Sequence, residues 1–411
     1  MRESDITLSE LVLSRCLRDA DLEKDAAQRE SFLERSFEYV KSLPKWRKRF
    51  LHELTCGRFE EAGKLADAEA PGAMMSIMFE LSYTEPDLRE YAYWIARLIN
   101  KETADDHASA AASLAADMAS VDGCCSTAVA HRRRAIVIDP HDVWMRLSLC
   151  YDKGSVRGDL LSWYDIAELR EQLRQVVTQD YGIALEDLKE MDFDPHDPLY
   201  GVQSVLREAE EFGESPELLA RLHADSLTAD WPIEEFVDGI LRAAGWADHA
   251  SAPDDVREFV KLVFLVKYDE ADKLARELGE STVQPLLDAL SSETPDICSY
   301  AFWAFRLIKH ETAYNHSRAS GQIRRSLYKL KGAPEAGLFH ARRAALLAPD
   351  ESEYKERVLE YHGQVSERVF SRQEAIRLGR KVLASNPGNR EVQALVERLD
   401  QGESSHESEQ G

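Results

Sequence analysis

The sequence predicts an all-α protein, an α-solenoid of antiparallel helix hairpins built as an internal duplication with an offset of 209 residues. Three observations carry that expectation. First, the stretch 86–140 occurs twice. Pro86-Asp87, Tyr91-Ala92-x-Trp94, Arg97-Leu98-Ile99 and Glu102-Thr103-Ala104-x-x-His107 return as Pro295-Asp296, Tyr300-Ala301-x-Trp303, Arg306-Leu307-Ile308 and Glu311-Thr312-Ala313-x-x-His316. Without a gap, residues 59–140 match residues 268–349 at 26 of 82 positions. Second, apolar residues recur at spacings of three and four, the period of a helix face, and alternating strand-like runs are few. Third, Ala, Leu, Glu and Arg, all strong helix formers, dominate, while only 20 Gly and 14 Pro are spread over 411 residues.

Taken in order, residues 6–20 read as a helix capped by Thr7 or Ser9, and 27–42 as a second that ends before Pro44. Helices follow over 46–54 and 59–68 around a Gly57 turn, then over 73–82 and 87–100. In the last of these, Tyr91, Trp94, Ile95 and Leu98 share one face, read as a core stripe in preference to an aromatic ligand pocket. Residues 104–122 and 124–138 form a pair broken at Gly123, with Gly332 in the second copy. Helices over 143–151 and 160–178 precede a less regular segment, 181–215, whose turn 192–198 carries Pro195 and Pro198. Residues 216–247 read as helical, the second copy runs from about 254 to 389, and 391–399 form a last helix. Roughly 18–20 helices fit in this length. The expected domains are an N-terminal cap over 1–50, a first half over 51–180, a connector over 181–253, a second half over 254–390, and a final helix end with a disordered acidic tail over 391–411.

The small residues Ala116, Ala128 and Ala135 followed by Pro140 have the spacing of a tetratricopeptide unit. Gly337, Ala344 and Pro349, and then Ala375, Gly379 and Pro387, give second and third windows. The chain thus resembles a degenerate tetratricopeptide-like protein over about three windows, and its Glu-Thr-Ala-x-x-His and His-x-Arg-Arg-Ala blocks are similar to those of bacterial helical-repeat proteins. The resemblance implies stacked hairpins with a concave groove for peptides, helices or whole proteins, and no catalytic residues.

Net charge is −24, with 44% apolar and 31% charged residues. Nucleic-acid binders carry a basic footprint, so DNA and RNA are not the expected ligands. No run of ~18 apolar residues predicts a membrane span. The N-terminus lacks the basic and apolar regions of a signal peptide. Six cysteines without a C-x-x-C pair fit a reducing compartment, and a cytoplasmic location is expected.

The search for chemistry returns little. His310-Glu311 opens a zinc-protease motif, but the next His stands at 316 instead of 314, and the first copy has Lys101 in place of His310. Phosphate loops and nucleophile elbows are absent. The repeated trio Glu102, His107 and His131, with Glu311, His316 and His340, has the residue types of a metal site. The expected role is structural, a buried hydrogen bond from His to a carboxylate or carbonyl, with Trp94 and Trp303 as further repeat markers. The basic clusters around His131, Arg133 and Arg134, and around His340, Arg342 and Arg343, are the candidate binding residues; ion pairing to Glu102 and Glu311 is the competing role. No metal, cofactor or catalytic residue is expected.

The expected function is a non-enzymatic protein-binding scaffold whose partner is a basic protein or peptide, with an immunity protein neutralising a basic toxin as its specific form. Alternatives are a peptide-sensing regulator binding in the concave groove, and a metal-dependent hydrolase using the Glu/His trio.

Overall fold

The computed structural model describes residues 42–69, 86–152, 163–180, 233–246, 252–290 and 296–401, together with 182–183, 187–188, 191 and 203. The helices expected over 6–20 and 73–82, nearly all of that over 27–42, the turn at 192–198 and the tail after Gln401 lie outside the described residues. The described residues form helices joined by turns and short loops, with no strand among them. No helix among them is long and apolar enough to cross a membrane.

The helices are α1 (Lys45–Thr55), α2 (Phe59–Glu69), α3 (Leu88–Asn100), α4 (Ala104–Ala112), α5 (Cys124–Ile138), α6 (Val143–Asp152), α7 (Trp163–Asp180), α8 (Ile233–Ala243) and α9 (Asp254–Phe264). They continue as α10 (Tyr268–Leu278), α11 (Glu280–Leu290), α12 (Cys298–Lys309), α13 (Ala313–Ser326), α14 (Ala333–Leu347), α15 (Ser352–Leu359), α16 (Arg372–Ser385) and α17 (Arg390–Gln401). The bounds of α1, α2 and α5 recur in α9, α10 and α14 at a spacing of 209 residues.

Local chemistry explains these boundaries. Thr103 caps α4 by accepting from the Asp106 amide, and Thr312 caps α13 in the same way from Asn315. Ser371 with Glu374 three positions on supplies the cap of α16. Gly123 and Gly332 stand before α5 and α14 at φ 78° and 74°, the left-handed region that glycine enters without a Cβ penalty. At the turn between α1 and α2 Gly57 has φ 66°; Val266, at the matching turn between α9 and α10, has φ 50° although it is β-branched. The helix expected over 104–122 is interrupted: α4 passes into a π turn at Ser113–Asp117, and Ala116 is exposed on it.

The chain divides into two compact units. One comprises the chain up to Lys101 and from Thr294 onward; the other is the continuous stretch Glu102–Glu293. In the first unit, α12 to α17 pack consecutively, each on the next. Close approach in this run falls on small residues. A Cβ on Gly337 would overlap the Tyr361 hydroxyl, and one on Gly379 would overlap Val396. Tyr361 Oη meets Ser320 Oγ at 2.9 Å and donates to the Ser320 carbonyl at 3.0 Å. The helix α3 packs against both α12 and α14, so elements far apart in sequence share this core. Trp94, Trp303, Tyr91, Tyr93, Tyr300 and Phe302 are all buried, and the ring of Tyr91 stands edge-on to that of Tyr300 at 5.7 Å. Burying each such side chain contributes about 1.5–3 kcal/mol. The aromatic stripe of α3 is therefore core.

In the second unit, α4 pairs with α5, α5 with α6 and α6 with α7, while α8 packs on α9 and α11, and α10 packs on both α9 and α11. Arg257 of α9 ties back to α8 through Asp238 at 2.7 Å and Glu234 at 2.8 Å. Tyr268 of α10 reaches Thr127 of α5, with 3.2 Å between their hydroxyls.

Candidate functional site

The repeated trio comes together in both units, and each time it forms a chain of hydrogen bonds. In the second unit Glu102 follows the end of α3, His107 lies one turn into α4, and His131 lies midway along α5. His107 Nε2 is 3.1 Å from Glu102 Oε1, and His107 Nδ1 is 2.7 Å from His131 Nδ1. Arg134, one turn beyond His131, grips Glu102 with Nε at 2.7 Å and Nη2 at 3.0 Å. In the first unit, His316 Nε2 lies 3.1 Å from Glu311 Oε1 and its Nδ1 2.8 Å from His340 Nδ1. Arg343 holds Glu311 at 2.6 and 3.3 Å.

These contacts assign the protons. A carboxylate flanked by arginine is an acceptor, so the histidine Nε2–H donates to it, leaving its Nδ1 as the acceptor of the second ring's Nδ1–H. His340 then presents a bare Nε2, to which Tyr300 donates its hydroxyl proton at 3.0 Å. The His107 hydrogen bond, then Arg134, hold the Glu102 carboxyl down at about 2. His316 and Arg343 do the same for Glu311, also about 2. Burial, with the neighbouring ring, keeps His131 and His340 well below the ordinary imidazole value. Burial also pushes the Tyr300 hydroxyl up.

All four rings are fully buried. The imidazoles are sealed from solvent while the Glu and Arg at the outer end of each network stay about a quarter exposed, and the facing Nδ1 atoms are engaged with each other. Among the described residues no group of three or more His, Cys, Asp or Glu has the spacing to hold a metal ion. What the arrangement does is fasten a helix hairpin: α4 to α5 in one unit, α13 to α14 in the other.

Arg134, Arg342 and Arg343 of the basic clusters are engaged in ion pairs within the fold. Arg134 and Arg343 are the outer clamps of the two networks, and Arg343 Nη1 also meets Glu60 of α2 at 3.1 Å. Arg342 donates to the Val369 carbonyl at 2.8 Å and to both oxygens of Glu374 at 3.0 Å, and its guanidinium lies 5.4 Å from the Phe370 ring centre. Arg133 is half-buried on α5.

The first unit also holds an open pocket of about 190 Å³ between α2 and α14. Its floor is the aromatic pair Phe59 and Phe339, 5.1 Å apart and steeply inclined. Leu346 forms a ledge, Glu60 and Glu61 line one side, and Arg342 and Arg343 line the other. Phe339 also packs edge-on against His316 and His340, so the pocket floor rests on the histidine network.

The sequence reading named Arg342 and Arg343 but passed over Phe59, Phe339, Glu60 and Leu346. One signal was present. The apolar pair Val137-Ile138 closes α5, and Leu346-Leu347 closes α14 at the same offset. Both stand where a solvent-facing helix end is ordinarily polar.

Comparison with known proteins finds no family model that matches the chain, and no significant match among curated proteins or solved structures.

Proposed function

We propose that this chain is a non-enzymatic protein-binding scaffold of the helical-repeat type, derived by internal duplication, whose partner is a basic protein. The observation that supports it is a matter of surface. Among the described residues six large apolar side chains are exposed, and four of them are Val137 (69%), Ile138 (37%), Leu346 (66%) and Leu347 (41%). They occupy equivalent ends of α5 and α14. Isolated exposed apolar residues need no explanation; pairs that recur at equivalent places in two units point to binding surfaces.

Duplication is supported by the recurrence of helix bounds, Thr caps, left-handed turns and both Glu–His–His–Arg networks at one offset. The solenoid reading draws on the consecutive packing of α12 to α17, with α3 crossing it. A tetratricopeptide-like character is favoured where Gly337 and Gly379 take the close approach of a partner side chain, and has less support at Ala116, which is exposed. A basic partner follows from the charge of −24, which accelerates association with a cationic protein and fits the immunity-protein form of the proposal. A cytoplasmic setting agrees with free thiols at Cys56, Cys124, Cys125 and Cys298. The hydrolase reading is disfavoured because all four imidazoles are sealed and committed to each other.

The test is affinity capture from the native cell with the wild-type chain and with the combined Val137→Asp and Leu346→Asp variant, washed at low and then high salt. A cationic protein retained by the wild type, released by salt and lost by the variant is the expected result. Equal retention by both proteins rejects the reading.

A further inference from the structure

We infer that the pocket between α2 and α14 is a docking site for a cationic protein segment that inserts one aromatic or branched aliphatic side chain. This inference rests on the scaffold reading and specifies its contact in the first unit.

Size sets the first limit. Pockets for drug-sized ligands run to about 300–1,000 Å³, whereas an apolar cavity of about 150 Å³ suffices for a benzene ring. At about 190 Å³ this pocket takes one ring or one branched side chain and no more. Its floor suits that cargo, because Phe59 and Phe339 offer an edge and a face to an incoming ring. Leu346, which lines the pocket and is 66% exposed, gives the flanking segment an apolar surface to lie on. These features describe an anchor side chain on a longer chain, not a free metabolite.

Charge sets the second limit. Three arginines line the pocket, which at first sight selects an anion. Each is already neutralised: Arg58 by Glu53, Arg342 by Glu374, and Arg343 by Glu311 and Glu60. An incoming carboxylate would have to compete with ion pairs already made. The acidic side is different. Glu61 is half-exposed and pairs with Lys64 three residues on, at 2.7 Å. Such an exposed pair is worth only a few tenths of a kcal/mol and exchanges readily for a partner's cation. Glu60, at 43% side-chain exposure, shares its charge with Arg343 and faces the same opening. A lysine or arginine beside the anchor therefore gains more here than an aspartate or glutamate, in line with the net charge of the chain.

The corresponding surface of the second unit is related but altered. Ala130 stands where Phe339 stands, so the aromatic floor is not repeated. The anchor preference therefore belongs to the first unit.

Three labelled, terminally blocked hexapeptides test this by fluorescence polarisation on the full chain: a phenylalanine between two lysines, a phenylalanine between two glutamates, and an alanine between two lysines. The first is expected to bind at least tenfold more tightly than either other. Leu346→Asp and Glu61→Lys should each weaken it at least fivefold, and Val137→Asp should leave it unchanged. The proposal is overturned if the glutamate peptide binds equally well, or if Leu346→Asp has no effect. It is also overturned if the wild type sediments as a dimer and Leu346→Asp as a monomer, since the occupant is then a second copy. If the peptides are not distinguished while partner capture still depends on Val137 and Leu346, the pocket assignment fails and the scaffold reading stands. If capture is also indifferent to those residues, both fail.

Discussion

Nδ1 of His316 lies 2.8 Å from Nδ1 of His340, both rings are fully buried, and the pair is anchored at one end by Glu311 and at the other by Tyr300. The second unit repeats the contact between His107 and His131 at 2.7 Å. Such a pair tolerates one shared proton between the facing nitrogens and no second one, so both imidazoles must stay neutral for the hairpin to hold.

This gives a pH dependence with a definite sign. His131 and His340 have folded-state values well below 6.5, so the unfolded chain binds more protons as pH falls through its own imidazole range. Stability is full above pH ~6.5 and is lost progressively below it. Glu102 and Glu311, both at about 2 in the folded protein, add a second loss as pH falls from the ordinary carboxylate range towards 2. Thermal midpoints measured from pH 8 to pH 5 should fall as acid is added. The same series with His340→Gln should be less stable at pH 8 and shallower below pH 6.5. A midpoint independent of pH between 7 and 5 would contradict the neutral-pair assignment.

Arg343 joins two interactions of unequal weight. Its contacts to Glu311 are paired hydrogen bonds at 2.6 and 3.3 Å between groups that are each about three-quarters buried, while its contact to Glu60 is a single ion pair near solvent. Double-mutant cycles with Arg343→Met should return a coupling of about 1–3 kcal/mol with Glu311→Gln and under about 1 kcal/mol with Glu60→Gln. Denaturant unfolding measures both.

Gly332 cannot accept a side chain. Its φ of 74° disfavours any L residue, and an added Cβ would fall inside the van der Waals surfaces of Asp87 Oδ1 and Arg89 Cγ. Those two residues form a buried ion pair at 2.5 Å, so neither can simply swing out to water. Gly332→Ala should cost about 2–4 kcal/mol, from left-handed strain plus overpacking. Gly182→Ala is the control: φ is 63° there too, but nothing lies within 4 Å, and the cost should be about 1–2 kcal/mol.

Val137→Asp and Leu346→Asp separate binding from folding. Both side chains are largely exposed, so each change should alter stability by less than about 0.5 kcal/mol. Their effect should appear in binding and not in the melting midpoint. A loss of several degrees in the melting midpoint would mean that these residues pack against something within the chain.

Much of this was legible in the sequence, for a physical reason. Helix periodicity is local, so the hairpins on either side of Gly123 and Gly332 and the core face of α3 follow from residues a few positions apart. The Glu/His trio was visible because it occurs twice, and its structural role because a buried imidazole needs a partner. Pairing across the chain was not visible. Nothing local tells Phe59 that its ring will meet Phe339, or Arg343 that it will reach Glu60 as well as Glu311. The π turn at Ser113–Asp117 is equally silent, since its residues are ordinary helix formers. Val266 is the clearest miss: a valine gives no hint of a left-handed turn, and only its alignment with Gly57 does.

The unit formed by the chain up to Lys101 and from Thr294 onward also has a history in time. During synthesis its first part leaves the ribosome long before its second. The stretch Glu102–Glu293 must be translated in between, and at ~5–20 residues per second that takes roughly 10–40 s. For that interval α3 carries Tyr91, Tyr93 and Trp94 without α12 or α14 to bury them, while the continuous unit can already close. The nascent chain thus spends its early life with α3 resting on α1 and α2 alone: Tyr93 has the Phe50 ring beside it from the start, while Tyr91 waits for Tyr300, the ring it finally stands against.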